Sequence, residues 1–173
     1  GLGDVYKRQF DDLVKACDSY SDIGYVLGDW NASAGAWARV NPMTGDGCKN
    51  SDVVEFRHCL IESDSLPKEE QLRKIREFNL PCAAIVDSGG KSIHAIVKID
   101  AGMDENLYRE RVHNLHKFLE SKGFPVDKAC KNASRLSRIA AVTRNGKRQS
   151  LLAVNIGVKS YTDLSLIHIS EPT

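Results

Sequence analysis

The sequence has no long apolar run; its longest uninterrupted stretch is Cys82–Val86. A bilayer span needs about 20 apolar residues in succession, so a transmembrane helix is excluded. Also lacking is a basic start followed by an apolar stretch and a cleavage site, which argues against a secretory leader. Neither sign of charge is in excess. With 24 Lys and Arg against 23 Asp and Glu, the net charge is +1, and no global field announces nucleic acid or membrane. Cysteine is scarce: Cys17, Cys48, Cys59, Cys82 and Cys130 are odd in number, widely spaced and without a CxxC pair. This argues against a disulfide scaffold or a four-cysteine zinc site and for a reducing, cytoplasmic setting. The Asn-Ala-Ser triplets at Asn31 and Asn132 are then glycosylation sequons in form only. Internal repeats and low-complexity tracts are absent as well.

What is present is ordinary globular material, 173 residues long, enough for one core. The two ends, 1–9 (GLGDVYKRQ) and 164–173 (LSLIHISEPT), look like translated sequencing-adapter read-through and are left out of the fold reading. A single domain is expected over 10–163, with both boundaries artificial breaks and neighbouring domains missing.

Phe10–Cys17 has the spacing of a short amphipathic helix, and Ser19–Ala36 reads as loop. Ala36–Asn41 alternates and is stopped by Pro42, a strand signal. Val53–Asp64, rich in apolar and β-branched residues, is expected to be a central strand. Pro67–Phe78 is a helix with Pro in its first turn and Glu69 and Glu70 near its positive end. Cys82–Val86 and Ser92–Ile99 read as strands joined by a glycine turn. Asp104 caps a long helix through Lys122, with Tyr108, Val112, Leu115 and Leu119 as its apolar stripe, and Gly123 ends it. Gln149–Ile156 is a last strand. Helices alternating with strands that include an antiparallel hairpin favour an α+β fold.

Three constellations carry chemistry. Glu62 and Asp64 are two apart on a strand and share one face; adjacent carboxylates repel without a cation, which suggests ligation of a hard metal. In Ser88-Gly-Gly-Lys-Ser-Ile-His94 the glycine turn leaves amides free to approach phosphate, and Lys91 and His94 add charge or donors. It is no P-loop: that motif needs Gly at the position of Ile85 and a helix after Ser92. Ser92 and His94 share a face, as Glu62 and Asp64 do. Asp127 follows Pro125 on an extended segment that aims one more carboxylate. His113 and His116, three apart on the long helix among charged residues, read as part of a solvated face. Charge is uneven along the chain: 128–150 holds seven bases and no acid, whereas 62–127 holds twelve acids against ten bases. A basic ribbon beside an acidic cluster suits a protein that brings a polyanion to a bound cation.

The blocks LIESDSLP, LPCAAIVDSGGKSIHAIVKIDA and KNASRLSRIAAVTRNGKRQSLL, in that order, resemble the archaeo-eukaryotic primase superfamily, in particular its plasmid and phage RepB-like primases and primase-polymerases. The resemblance covers 36–157. It implies an RRM-like catalytic sheet with helices and a small N-terminal α/β part. It makes Glu62 and Asp64 the first motif, Ser92 and His94 the Ser-x-His motif at the nucleotide phosphates, and Val126-Asp127 the apolar–acid motif. Family members often carry Leu-Pro-Gly where this chain has Ile139-Ala140-Ala141.

The function so implied is template-directed nucleotidyl transfer, primer synthesis or primase-polymerase activity, in replication of a plasmid, phage or other mobile element. Glu62, Asp64 and Asp127 are expected to hold two Mg²⁺ or Mn²⁺ ions about 4 Å apart. Ser92, His94 and Lys91 are expected at the phosphates of an incoming NTP or dNTP. Arg135, Arg138 and Arg144 are expected on triphosphate or single-stranded DNA template. A helicase domain or subunit is an expected partner. Two other classes stand beside this reading. One is a non-catalytic, single-strand-binding module of the same fold. The other is a rolling-circle nuclease, which wants a His-x-His pair that 10–163 lacks.

Overall fold

The computed structural model describes residues 14–15, 18–19 and 33–169. The expected Phe10–Cys17 helix, most of the Ser19–Ala36 loop and the small N-terminal part therefore lie largely outside the described residues. Within them the strands are β1 (Trp37–Arg39), β2 (His58–Ile61), β3 (Cys82–Asp87), β4 (Ile93–Lys98), β5 (Leu136–Arg138), β6 (Val142–Arg144) and β7 (Lys147–Ile156). The α-helices are α1 (Lys68–Glu77), α2 (Glu105–Ser121) and the short α3 (Tyr161–Leu164). The succession β2-α1-β3-β4-α2-β7 is strand–helix–strand–strand–helix–strand, with β5 and β6 inserted before the last strand. Five strands form one antiparallel sheet in the order β2-β4-β3-β7-β6, and β1 and β5 form a separate ribbon. Helices packed with antiparallel sheets make the fold α+β, as expected.

Alternation along β4 divides the main sheet's two sides. Ile93, Ala95 and Val97 join the apolar core, while His94 between them turns to the opposite face. The core meets α2 through Tyr108, Val112, Leu115 and Leu119, the stripe read from spacing alone. Phe78, the C-cap of α1, packs edge-on against Phe118 of α2 at 5.3 Å, and Lys74 donates to the carbonyl of Lys122. Both helices therefore cover one side of the sheet and leave the other to the site. Asp104 caps α2 by accepting from the Leu107 N–H, satisfying one of the amides that a helix start leaves open.

Two expectations need correction here. The strand read over Val53–Asp64 is only His58–Ile61, so Glu62 and Asp64 lie just past its end, and among the described residues it is an edge strand paired to β4 alone within its sheet. Its start is set by Asn41, whose side-chain oxygen accepts from the N–H groups of Arg57 and His58. Its end is set at Glu62, whose carbonyl accepts from the Asp127 N–H at 3.0 Å instead of continuing the ladder. The second correction concerns His116, which lies inside the helix packing and not on a solvated face; His113 is exposed. Neither ring nitrogen of His116 has a partner among the described residues, and burial holds its pKa down at about 4, so the ring is neutral near pH 7.

Beyond β7, Ser160 caps α3 by accepting from the Asp163 N–H, and Tyr161 and Leu164 are buried in the core. Ser165–Ile169 forms a π-helical turn whose His168 stacks on Phe118 at 5.2 Å. Cys59, Cys82 and Cys130 are buried free thiols. No helix among the described residues is long and apolar enough to cross a membrane.

Candidate functional site

A cavity of about 600 Å³ opens on the side of the sheet away from the helices, a size common for small-molecule sites. Glu62, Asp64, Lys91, Ser92, His94, Arg135, Arg138 and Arg144 all line it. Residues remote in sequence meet there because β2 and β4 are paired and the β5 segment crosses above them.

Glu62 is the centre. Its Oε2 accepts from Ser92 Oγ at 3.0 Å and contacts His94 Nε2 at 2.8 Å, while Oε1 accepts from Arg135 Nη2 at 3.1 Å. Burial alone would raise its pKa, but the His94, Arg135 and Ser92 contacts outweigh burial and hold it at about 2. A buried carboxylate kept ionised by three donors is a fixed negative charge. His94 is oriented from behind. Its Nδ1 accepts from the Arg138 N–H at 3.3 Å and lies 3.1 Å from Ser137 Oγ, which leaves Nε2 to carry the proton given to Glu62.

The acidic residues do not form one symmetric trio. Glu62, Asp127 and Cys130 each place a ligand atom within 4.8 Å of the others, whereas Asp64 is exposed at the cavity lining. Asp127 lies behind Glu62; its Oδ1 accepts from the Ala129 N–H, capping the 3₁₀ turn Lys128–Lys131. Arg135 spans the gap between the carboxylates, with Nη2 at 3.1 Å from Glu62 and 3.3 Å from Asp127 Oδ2. Arg135 thus already supplies a cation at this point. The donor set fits a hard divalent ion: Glu62 and Asp127 offer carboxylate oxygens. Burial pushes the Cys130 thiol up to about 12, so it stays protonated and offers no thiolate near pH 7.

The glycine turn differs from the expectation of free amides. Gly89 N–H donates to Asp87 Oδ1 at 2.9 Å and Gly90 N–H to Ser88 Oγ at 3.2 Å. Asp87 is also paired with Lys68 at 2.7 Å, so the loop is braced from within. The amides of Gly89 and Gly90 are therefore already engaged within the loop. Arg144 Nη2 donates to the Ser88 carbonyl at 3.3 Å, which brings β6 against this loop, and a Cβ on Gly90 would lie 2.7 Å from that same nitrogen. Burial first, and then the charge of Arg144, lower the Arg138 pKa to about 10. It remains a cation at neutral pH.

Several site residues were not anticipated from sequence. Gln71 of α1 is fully buried, donates to the carbonyls of Ser63 and Leu66, and accepts from the Ile93 N–H at 3.0 Å. It ties the segment carrying Glu62 and Asp64 to the strand carrying His94. Its signal, a polar residue on the apolar face of α1, stands in the sequence. Ser137, Trp37 and Leu136 enter through the β1–β5 ribbon, a pairing of segments about 100 residues apart that no local pattern announces.

The fold and site together define an α+β domain with an ionised carboxylate at the base of a cation-lined cleft. Among solved structures it resembles the AEP domain of cyanophage S-2L primase-polymerase, with a TM-score of 0.55 and 20% sequence identity. The match covers 71% of this chain and 65% of that one, and at this identity it shows a shared fold. No protein-family model matches the sequence, and no curated protein does.

Proposed function

We propose that this domain catalyses template-directed nucleotidyl transfer, as a primase or primase-polymerase acting in the cytoplasm in replication of a plasmid, phage or other mobile element. The observation that carries the reading is Glu62: a carboxylate held ionised by Ser92, His94 and Arg135 within a cleft whose other walls bear Lys91, Arg138 and Arg144. The fold shared with a phage primase-polymerase domain supports it. Glu62, Asp127 and Asp64 are the residues that would hold Mg²⁺ or Mn²⁺. When bound, such ions neutralise triphosphate charge and lower the pKa of an attacking 3′-hydroxyl.

The chain's own residues supply positioning and charge. Lys91, Arg138 and Arg144 bind the NTP or dNTP triphosphate as fixed cations, which stabilise charge as it develops on the leaving group. Ser92 and His94 keep Glu62 ionised and aimed, and they stand where phosphate oxygens would take over their hydrogen bonds. Arg135 bridges the two carboxylates, and a divalent ion held by them would release it for triphosphate or template. Single-stranded DNA approaches over the basic segment 128–150, and a helicase, as a fused domain or a subunit, is the matching partner.

A second reading has one observation on its side. Arg135 already neutralises Glu62 and Asp127, as a non-catalytic single-strand-binding module would require. The deciding experiment is incorporation of labelled nucleotide on a single-stranded template with Mg²⁺ or Mn²⁺, using the wild type and Asp64→Asn. The enzyme reading expects incorporation that falls by orders of magnitude in the variant while DNA binding persists. DNA binding without incorporation by the wild type under either metal would select the module.

A further inference from the structure

Trp37 is a large aromatic left 39% exposed, and what it exposes lines the cleft. Among the described residues it is the one Trp, Tyr or Phe side chain lining a cavity whose other walls are mostly charged or polar. The residue is held by the β1–β5 ribbon, in which Trp37 is the register partner of Arg138. The Arg138 guanidinium lies over the indole at 3.9 Å from the ring centroid, and its Nη1 donates to the Ala34 carbonyl. Its backbone N–H is meanwhile fixed on His94 Nδ1. Alternation along β5 sends Ser137 down to His94 and leaves Leu136 and Arg138 lining the cavity beside the indole. The aromatic surface is therefore pre-oriented, and little ordering remains when a planar ligand stacks on it.

We propose that Trp37, backed by Arg138, is the stacking platform for the base of the incoming nucleotide. This rests on the nucleotidyl-transfer reading and adds to it the group that receives the nucleobase. The same cavity offers two chemistries: a cationic wall of Lys91 and Arg144, and an aromatic surface at Trp37. A nucleoside triphosphate carries the two complements, a polyanion at one end and a flat π-system at the other. Stacking accepts every base, so the platform gives affinity without selecting sequence, as copying a template requires.

The test is equilibrium binding of Mg²⁺-dATP, inorganic tripolyphosphate and a dT oligonucleotide to the wild type, Trp37→Ala and Trp37→Phe, with thermal melts run alongside. The platform predicts that Trp37→Ala weakens dATP about 5- to 150-fold, the range that aromatic stacking on a base contributes. Tripolyphosphate affinity should be unchanged, and Trp37→Phe should recover most of the dATP loss because it restores an aromatic face. Equal weakening of dATP and tripolyphosphate would mean that Trp37 only braces the wall, and it would overturn the assignment. So would an unchanged dATP affinity, or a loss confined to the oligonucleotide, which would move the stacking to the template. If the wild type binds neither dATP nor tripolyphosphate, the nucleotidyl-transfer reading itself fails and the platform goes with it.

Discussion

Glu62 links the site's chemistry to the stability of the fold. Its carboxyl is held at about 2, against a value near 4.3 for an unperturbed Glu. A carboxylate with a depressed folded-state pKa contributes stability that is fully present above the unfolded value and lost as pH falls through the folded one. Wild-type stability in urea should therefore decline between roughly pH 4.3 and pH 2, and Glu62→Gln should make that decline shallower. An identical slope in both proteins would mean that the Ser92, His94 and Arg135 contacts do not hold the charge. Ala141 poses a different residue-scale question. It stands at the end of Ile139-Ala140-Ala141 and takes φ = 67°, the left-handed region that favours glycine. Its N–H donates to the Gln149 carbonyl at 2.7 Å, but an L side chain is strained there. Ala141→Gly should stabilise the protein by about 0.5–1 kcal/mol, read from the midpoint of a denaturant melt. A destabilised variant would show that the Ala methyl contributes more than its backbone costs.

At the scale of elements, what was legible in the sequence was local. The periods of α1 and α2 and the turn between β3 and β4 each lie within one stretch of chain, and their bounds fall within two residues of expectation. Two-residue alternation put Ser92 and His94 on one face, and both reach Glu62 Oε2, but spacing did not bring Glu62 to them: that depends on β2 pairing with β4 and on Glu62 standing just past the end of β2. Spacing did not reveal that β2 ends its ladder at Ile61, since that depends on Asp127 taking the Glu62 carbonyl. Nor did it reveal the β1–β5 ribbon, whose pairing is entirely long-range. The β6–β7 hairpin is a case where the signal was present: Asn145 and Gly146 take φ of 50° and 74°, as a tight two-residue turn between antiparallel strands demands. The end of β7 depends on another glycine. A Cβ on Gly157, at φ = 81°, would sit 1.9 Å from the Leu80 carbonyl oxygen, which is backbone and cannot rotate away. Gly157→Ala should cost about 2–5 kcal/mol through clash and φ strain together, measured as a lowered urea midpoint. A cost under ~1 kcal/mol would mean that β7 and the Asn79–Leu80 turn separate easily.

Across the whole molecule, a net charge of +1 conceals a division of labour within the basic segment 128–150. Arg135, Arg138 and Arg144 are partly buried and face the cleft, whereas Lys128, Lys131, Lys147 and Arg148 are exposed. Arg135 is committed to Glu62 and Asp127, so replacing it would disturb the carboxylates as well as any DNA contact. The clean test of the electrostatic surface therefore lies with Lys147 and Arg148, at the hairpin that Arg144 anchors beside the Ser88–Ser92 loop. Each cation that neutralises a phosphate of a single strand releases counterions and contributes about 0.7 to the slope of log K against log salt. Lys147→Ala with Arg148→Ala should weaken single-stranded DNA binding at low salt and reduce that slope by about 1 to 1.5, if both contact phosphate. Affinity for Mg²⁺-dATP should not change, because neither residue lines the cleft. Weaker DNA binding with an unaltered slope would point to a reshaped hairpin and not to lost phosphate contacts. If binding and slope both match the wild type, the hairpin charges lie off the path of any bound strand, and the proposed template path would run past Lys128 and Lys131 instead.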